Sequence, residues 1–369
     1  MPEDQAPRTL TSGEWLSAFE ERYLSDYVPS GGSVVRFISG EPQTLTEAVD
    51  GLQRVAAERN YHYRLLDAGA RQPTGKPPSY HLIDRFYGAV TDGVDWQGWA
   101  REQARSVLDR LGVRVPEGCD LGDIQKLAAA NGMDRDYLIQ QYHRETQRAV
   151  QDRDMTVEFR SAVTNLWGDQ LQPDTSTPGR GEVLTTWLSG RAAPPGGARV
   201  LRNCQIYGRI NATNARHYLV SFCEWARRTG RLGILVVLDF RAYEWVGGTG
   251  PRSEQILREI EAAIARGAGT DSILAMMTAS RADAPDVKYS SKAYVQMLSL
   301  LRRFIDEIDR FWGLALIVLT SPTYYAPSAL KERRYTDYAA LQTRIGEEVS
   351  DRQRPNPDAA LIHLRENAQ

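Results

Sequence analysis

The N-terminal part of the chain alternates between two patterns of apolar residues. Trp15, Phe19 and Tyr23 lie four residues apart, which predicts an amphipathic helix. The run VVRFI, which begins at Val34, predicts a buried strand; a second helical pattern follows from Leu45, and YHYRLLDA predicts another strand. Two strands joined by one helix predict a βαβ unit, so we expect an α/β fold with a parallel sheet.

The pattern changes twice farther along the chain. Helical patterns with long charged faces follow one another from about Tyr80 to Arg191, and the loop AAPPGGA closes this block. Strand patterns then return in LGILVVLDF and LALIVLTSP, each preceded by a helical pattern. We therefore predict an N-terminal helix and the first half of an α/β core at 1–79, a helical insertion at 80–191, the second half of the core at 192–350 and a polar C-terminal tail at 351–369.

Composition excludes several classes of protein. The 47 acidic and 45 basic residues leave a net charge of −2, which argues against a dedicated nucleic-acid binder. No apolar run reaches the length of a membrane span, and the polar start MPEDQAPR does not resemble a secretory signal, so we expect a cytoplasmic protein without membrane contact. The 3 cysteines show no C-x-x-C spacing and predict neither a disulfide framework nor a zinc site.

Gly40 stands between the first predicted strand and the next helix, where a phosphate-binding loop would lie. The motif G-x-x-x-x-G-K-[ST] supplies backbone N–H groups, a lysine for the outer phosphates and a hydroxyl for Mg²⁺. Laid on Gly40, it places Leu45 at the second glycine, Thr46 at the lysine and Glu47 at the hydroxyl residue, so all three positions fail. The spacing Thr44-x-x-Glu47 instead predicts a capping box at the helix start.

Two later strands end in residues that ATPases use. Asp239 ends the strand ILVVLD, where an aspartate orients Mg²⁺, but Phe240 follows in place of the glutamate that activates water. Glu244 lies too far along the chain to be assumed equivalent. Thr320 ends the strand LALIVLT, where a polar residue often senses the γ-phosphate, although a strand followed by a proline turn explains it equally well.

Several segments together resemble the BREX-associated ATP-binding family, the BrxD-like P-loop ATPases of bacterial phage-defence gene clusters. The resemblance lies in five segments that follow one another in this order between Gly31 and Ile345: GGSVVRFISG, TTWLSGR, RINATNARHYLVSFCEWARRTGRLGILVVLDF, YVQMLSLLRRFIDEIDRFWGLALIVLTSPTYY and YTDYAALQTRI. It implies a P-loop NTPase-like core of the AAA+/STAND type and a role in a multi-protein, DNA-directed defence assembly. Members of that family have an intact phosphate loop and an Asp-Glu pair, which this chain lacks.

Three functions follow as hypotheses. The leading one is a catalytically inactive, ATPase-like subunit or adaptor that needs no cofactor, binds other subunits of a defence complex and can form a homo-oligomer. The second is a functional or partner-activated ATPase that uses ATP and Mg²⁺, with Arg333, Arg334 or Arg344 as an arginine finger toward a neighbouring protomer. The third is a DNA-binding module with an arginine-lined face, for which the balanced charge predicts weak or indirect DNA contact.

Overall fold

The computed structural model describes residues 10–149, 155–171, 179–244, 261–263, 265–266, 289–321 and 360–365. Its strands are β1 (Leu10–Thr11), β2 (Val34–Ser39), β3 (His62–Asp67), β4 (Ile234–Asp239), β5 (Leu314–Thr320) and β6 (Leu361–Arg365). Its α-helices of seven or more residues are α1 (Ser12–Phe19), α2 (Pro42–Glu58), α3 (Ile83–Thr91), α4 (Trp96–Arg110), α5 (Ile124–Ala130), α6 (Arg135–Ala149), α7 (Val157–Leu171), α8 (Arg180–Leu188), α9 (Gly197–Asn203), α10 (Ala215–Arg228) and α11 (Ser291–Asp306).

The protein has an α/β fold with one six-stranded sheet in the order β1-β6-β2-β5-β4-β3. Every neighbouring pair of strands is parallel. All residues of β5 are buried, as are all residues of β4 except its last. Strands buried on both faces have continuous apolar sequences, which explains why these two were recognisable in the sequence.

The chain divides into two compact units. One contains the six strands with α1, α2 and α11, and the other runs from Ile83 to Arg231 and contains α3 to α10. The helical unit therefore extends beyond the predicted end at Arg191, and the loop AAPPGGA lies within it, between α8 and α9. Aromatic packing explains the difference: Phe222 of α10 stacks on Trp99 of α4 with ring centroids 6.0 Å apart, which holds α10 in this unit.

The N-terminal helix begins with a capping box, formed by Thr11 and Glu14, that was not predicted from the sequence. The Glu14 N–H donates to Thr11 Oγ1 at 3.2 Å, and the Thr11 N–H donates to Glu14 Oε2 at 2.9 Å. The predicted aromatic stripe forms, with Trp15 on Phe19 and Phe19 on Tyr23 at centroid distances of 5.2 Å each. After α1 the chain continues as a π-helix, Glu20–Tyr27.

One face of the sheet packs against α1, the π-helix and α2. The apolar cluster on this face takes Trp15 and Phe19 from α1, Leu45 and Leu52 from α2, and Ile317 from β5 among its buried members. These side chains recur three or four residues apart in the helices, so each helix presents one continuous apolar stripe to the strands. The α2 crossover is therefore held on the sheet by burial of apolar surface.

The C-terminal residues contain a strand, which corrects the prediction of a polar tail. Within the part of the tail that the structure describes, β6 pairs in parallel with β2 from Phe37 opposite Leu361 to Ser39 opposite His363. Leu361, Ile362 and Leu364 are buried. A strand of 5 residues inside a polar stretch gives a weak apolar signal, so the pattern PDAALIHLREN did not predict it.

None of the helices in the described part of the chain combines the length and the apolar composition that crossing a membrane requires.

Replacing Gly233 by alanine is expected to destabilise the protein. A Cβ atom there would lie 2.5 Å from the Gly313 carbonyl oxygen and 2.8 Å from Val28 Cγ1, immediately before β4. Because a backbone oxygen cannot turn aside as a side chain can, we expect Gly233→Ala to lower the free energy of unfolding by about 1–3 kcal/mol in chemical denaturation.

Gly13→Ala is the matched control for that experiment. No atom lies within 4 Å of the added Cβ at Gly13, and alanine favours the helix, so its effect should be neutral or stabilising by up to about 1 kcal/mol. Equal stability of the two variants would contradict the proposed close approach at Gly233.

Candidate functional site

The carboxyl ends of the parallel strands bring polar residues to one edge of the sheet. Ser39 of β2 lies opposite Thr320 of β5 and His363 of β6, and Asp67 of β3 lies opposite Asp239 of β4. In open α/β sheets, ligands bind outside this edge. This edge is therefore the candidate functional site, and it contains Asp239 and Thr320, which the sequence analysis named as candidate site residues.

The connection after β2 is too short to wrap a phosphate. Strand β2 ends at Ser39 and α2 begins at Pro42, so only Gly40 and Glu41 lie between them. The positions that the phosphate-loop motif would give to its second glycine, lysine and hydroxyl residue are already inside α2. A Cβ at Gly40 would lie 3.3 Å from Leu364 Cβ of β6, so the space beside this glycine is filled by the neighbouring strand.

The predicted capping box at Thr44 and Glu47 is wrong. The N-cap of α2 is Glu41, which makes no side-chain capping bond, and Pro42 occupies the start of the helix. The fixed φ of proline suits the first helical position, and its missing N–H needs no partner there, so the helix begins earlier than the Thr-x-x-Glu spacing predicts. Thr44 is inside the helix and only 2% exposed.

Thr46 and Glu47 make local contacts instead of forming a phosphate site. The Thr46 hydroxyl donates to the Pro42 carbonyl oxygen at 2.9 Å. Glu47 Oε2 accepts from the Ser12 hydroxyl at 2.9 Å, which links α2 to the first residue of α1. Both residues therefore support the helical layer that covers the sheet.

Asp239 is neutralised by a neighbouring guanidinium. Arg241 donates to its two carboxylate oxygens, from Nε at 2.9 Å and from Nη2 at 2.6 Å, and the Arg241 backbone N–H adds a bond of 3.1 Å. The hydrogen bond to Asp239 raises the pKa of Arg241 above its usual value, so the guanidinium stays charged. A metal ion at Asp239 would have to displace this bidentate contact.

An aromatic group occupies the position after Asp239. Phe240 is buried, its backbone N–H donates to the Leu319 carbonyl oxygen at 3.0 Å, and its ring stacks on Tyr243 with centroids 5.6 Å apart. Tyr243 in turn stacks on Tyr289 at 3.7 Å. At position 240, where an ATPase would have a carboxylate that activates water, this protein therefore has a buried aromatic ring.

His81 completes this aromatic cluster. Its backbone N–H donates to the Tyr243 hydroxyl at 3.1 Å, and its ring Nδ1 lies at the same distance from that oxygen. Burial lowers the pKa of His81 below its usual value, which favours the neutral imidazole. The Tyr289 hydroxyl lies 2.9 Å from the Ala68 carbonyl oxygen and 2.7 Å from that of Pro78, so this hydroxyl also serves the fold.

Glu244 also lies at this edge, although its spacing from Asp239 gave no reason to equate it with the water-activating glutamate of an ATPase. The 3₁₀ turn Arg241–Glu244 returns it to the sheet, where its side chain is 1% exposed. Its Oε1 accepts from the Ser321 backbone N–H at 2.8 Å, and its Oε2 shares a short hydrogen bond with the Ser321 hydroxyl. Burial raises the pKa of Glu244 to about 8, so the carboxyl is mostly protonated at neutral pH. In the sequence, the only indication that Glu244 is buried is its position between two aromatic residues, Tyr243 and Trp245.

The remaining hydroxyls of the edge are also used internally. The Thr320 hydroxyl donates to the Ile38 carbonyl oxygen at 3.3 Å and is fully buried. Ser39 Oγ and His363 Nδ1 form a short hydrogen bond that joins β2 to β6. Neither contact leaves a side chain arranged to sense a γ-phosphate.

The proposed arginine finger and a metal centre gain no further evidence. Arg333, Arg334 and Arg344 lie outside the described residues. Within the ranges that are described, no group of three or more His, Cys, Asp or Glu side chains has the geometry to hold a metal ion. The chemistry of the site therefore depends on Asp239, Glu244 and their partners.

Comparison with known proteins adds no relative to this geometry. No family model, no curated protein and no solved structure matches the chain. The edge is therefore interpreted from the residues of this chain alone.

Glu244 is expected to make the protein less stable as the pH rises. In the unfolded chain the carboxyl ionises near its ordinary pKa of 4.5, whereas in the folded protein it keeps its proton up to about pH 8. Because the folded state holds one more proton between these values, the free energy of unfolding should fall with rising pH, by at most about 1.4 kcal/mol per pH unit.

Glu244→Gln tests this expectation, because an amide has the same shape and does not ionise. Denaturant titrations from pH 5 to pH 9 should show a flatter pH dependence for Glu244→Gln and a higher stability than wild type above pH 8. Glu307→Gln, at the end of α11, is the matched control, because Glu307 is not fully buried. Parallel pH profiles for wild type and Glu244→Gln would refute the buried, protonated state.

Proposed function

We propose that this chain is a catalytically inactive, ATPase-like subunit or adaptor of a bacterial anti-phage defence complex. The observation that carries the proposal is the two-residue connection Gly40–Glu41, which leaves no loop to hold a phosphate where a nucleotide-binding core would have one. Such a subunit acts through protein contacts, with other subunits of the complex as its partners and no nucleotide as cofactor.

The topology supports the fold part of this proposal. The order β6-β2-β5-β4-β3, with all strands parallel, is compatible with a P-loop-like core of the AAA+ type. In that interpretation β2 leads into the lost phosphate loop, β4 ends in the magnesium-site Asp239 and β5, between them, ends in the sensor position Thr320. Under this proposal, Asp239 and Thr320 correspond to the polar positions of an ATPase, and their chemistry has been replaced.

The residues present disfavour phosphate binding, magnesium binding and activation of the attacking water. Thr46 in place of a lysine removes a charge-assisted contact worth about 1.5–3 kcal/mol, which is about a tenfold to hundredfold loss of affinity. Arg241 occupies both carboxylate oxygens of Asp239. Glu244 is protonated at neutral pH and bonded to Ser321, so it does not take a proton from an attacking water.

A partner-activated ATPase is the second candidate, because Asp239 and Glu244 both lie at the carboxyl edge. It would require Arg241 to release Asp239 and Glu244 to ionise, and a partner would have to supply the phosphate contacts that α2 does not. These requirements rank it below the inactive subunit.

Isothermal titration should detect no saturable binding of Mg²⁺-ATP or Mg²⁺-ADP to the wild-type chain. Arg241→Ala, which frees Asp239, should give the same result, because the short connection after β2 still offers no phosphate cradle. Arg302→Ala is the control, since it breaks an Arg–Asp contact on α11 away from the edge. Micromolar binding by the wild type would overturn the proposal, and binding by Arg241→Ala alone would favour partner activation.

Asp239→Asn tests the proposed role in the cell. The amide still accepts a hydrogen bond from Arg241 but is a poor magnesium ligand, so an inactive subunit should restrict phage plating in the native host as well as wild type does. Loss of restriction by a variant that is folded and expressed at wild-type level would contradict a purely structural role for this carboxylate.

A further inference from the structure

A cavity of about 390 Å³ opens at the amino-terminal half of β2, away from the carboxyl edge. Its lining residues include Tyr23 and Tyr27 of the π-helix, Arg36 of β2, Ile305 of α11, and Ile308 in the 3₁₀ turn that follows α11. Pockets for small molecules in proteins begin at about this volume and combine apolar walls with a few polar groups. The cavity has both properties.

The cavity lies where β6 does not reach. The pairing of β2 with β6 begins at Phe37, whose backbone N–H donates to the Ala360 carbonyl oxygen at 2.7 Å. Val34, Val35 and Arg36 precede this pairing and line the cavity. Arg36, in the middle of a central strand, therefore lines the cavity, whereas Ile317, opposite it in β5, is apolar.

Arg36 has no acidic partner among the residues that the structure describes. Its Nη2 donates to the Tyr23 hydroxyl at 2.5 Å, its Nη1 donates to the Val35 carbonyl oxygen at 3.0 Å, and its guanidinium lies 4.9 Å from the centre of the Tyr23 ring. Nε is buried and makes no hydrogen bond. Among the described residues no carboxylate lies within 4.0 Å of the guanidinium nitrogens.

Several other partly buried arginines of the protein are paired with acids. Examples are Arg180 with Asp169, Arg228 with Glu224, Arg231 with Glu102 and Arg241 with Asp239. Guanidinium stays charged at all relevant pH values and carries five N–H donors, of which Arg36 uses two. A half-buried cation without an anion is costly, so its position at a cavity indicates an anionic ligand.

We infer that this cavity binds a small carboxylic acid with an aromatic or aliphatic body. The carboxylate accepts from the unused N–H groups on Nη1 and Nη2 of Arg36, and the body lies against Tyr27, Ile305 and Ile308. A single guanidinium among apolar walls suits one negative charge better than a phosphate dianion, which needs more donors than this cavity offers. The site is independent of any nucleotide site at the carboxyl edge.

Tyr27 forms part of the cavity wall, and its ring can be displaced by a substitution at Gly32 that leaves the charge of the cavity unchanged. The side chain is 47% exposed, and its ring lies over Gly32, where an added Cβ would be 2.5 Å from the ring. Gly32→Ala therefore displaces the Tyr27 ring and should weaken ligands that have an aromatic body more than it weakens acetate.

The experiment is a ligand-observed NMR titration of the full chain with benzoate, benzamide and phenyl phosphate. Benzamide has the shape of benzoate without its charge, so benzoate should bind about tenfold to a hundredfold more tightly, as expected for a charge-assisted contact. Arg36→Met should lose the same factor for benzoate, and Arg302→Met, which removes an exposed arginine on α11, should lose none. Phenyl phosphate should bind more weakly than benzoate.

Three outcomes would overturn the inference: no benzoate binding at millimolar concentration, equal binding of benzoate and benzamide, or tighter binding of phenyl phosphate. Arg36→Met replaces a cation that has no acidic partner in the described part of the chain, so it should raise the Tm of the ligand-free protein. If this variant does not fold, the comparison of benzoate with benzamide on the wild-type chain still decides the question.

Discussion

The backbone pairing of β2 with β5 on one side and β6 on the other is the constraint on which the rest of the structure depends. A strand buried on both faces must satisfy its N–H and C=O groups through neighbouring strands, because water does not reach them. Val34 to Ser39 pair with Ala315 to Thr320, and Phe37 to Ser39 pair with Leu361 to His363. This register determines which polar residues meet at the carboxyl edge and leaves the amino-terminal half of β2 beside a cavity.

At the carboxyl edge, the polar side chains bond to one another and are part of the folded framework. Arg241 binds Asp239, Ser321 binds Glu244, and Ser39 binds His363. The first contact is local, and the other two join distant segments of the same unit. All three satisfy polar groups that a ligand would otherwise contact. Selection for stability and selection for ligand binding compete at such positions, and the contacts seen here favour stability.

The sequence predicted the parts of the fold whose signals are strong and local. Strands β4 and β5 are continuous apolar runs, β2 is apolar except for Arg36 and Ser39, and α1 and α2 have clear helical stripes. Strand β6 was missed because its burial depends on pairing with β2, a contact between distant residues that a short pattern does not reveal. The predicted capping box at Thr44 was wrong because the Thr-x-x-Glu spacing takes no account of Pro42, which begins the helix earlier. The burial of Glu244 was not predicted because it depends on a turn and on Ser321 from a distant segment. Site chemistry was therefore less predictable than fold class.

The position of β2 also has a consequence for synthesis on the ribosome. Its partner Ala315 in β5 emerges about 280 residues after Val34, which takes roughly 15–55 s at about 5–20 residues per second. During that interval the apolar faces of α1, α2 and β2 have neither neighbouring strand available. Folding of the sheet unit is therefore delayed until nearly the whole chain has been made, and the nascent protein presents apolar surface that chaperones recognise.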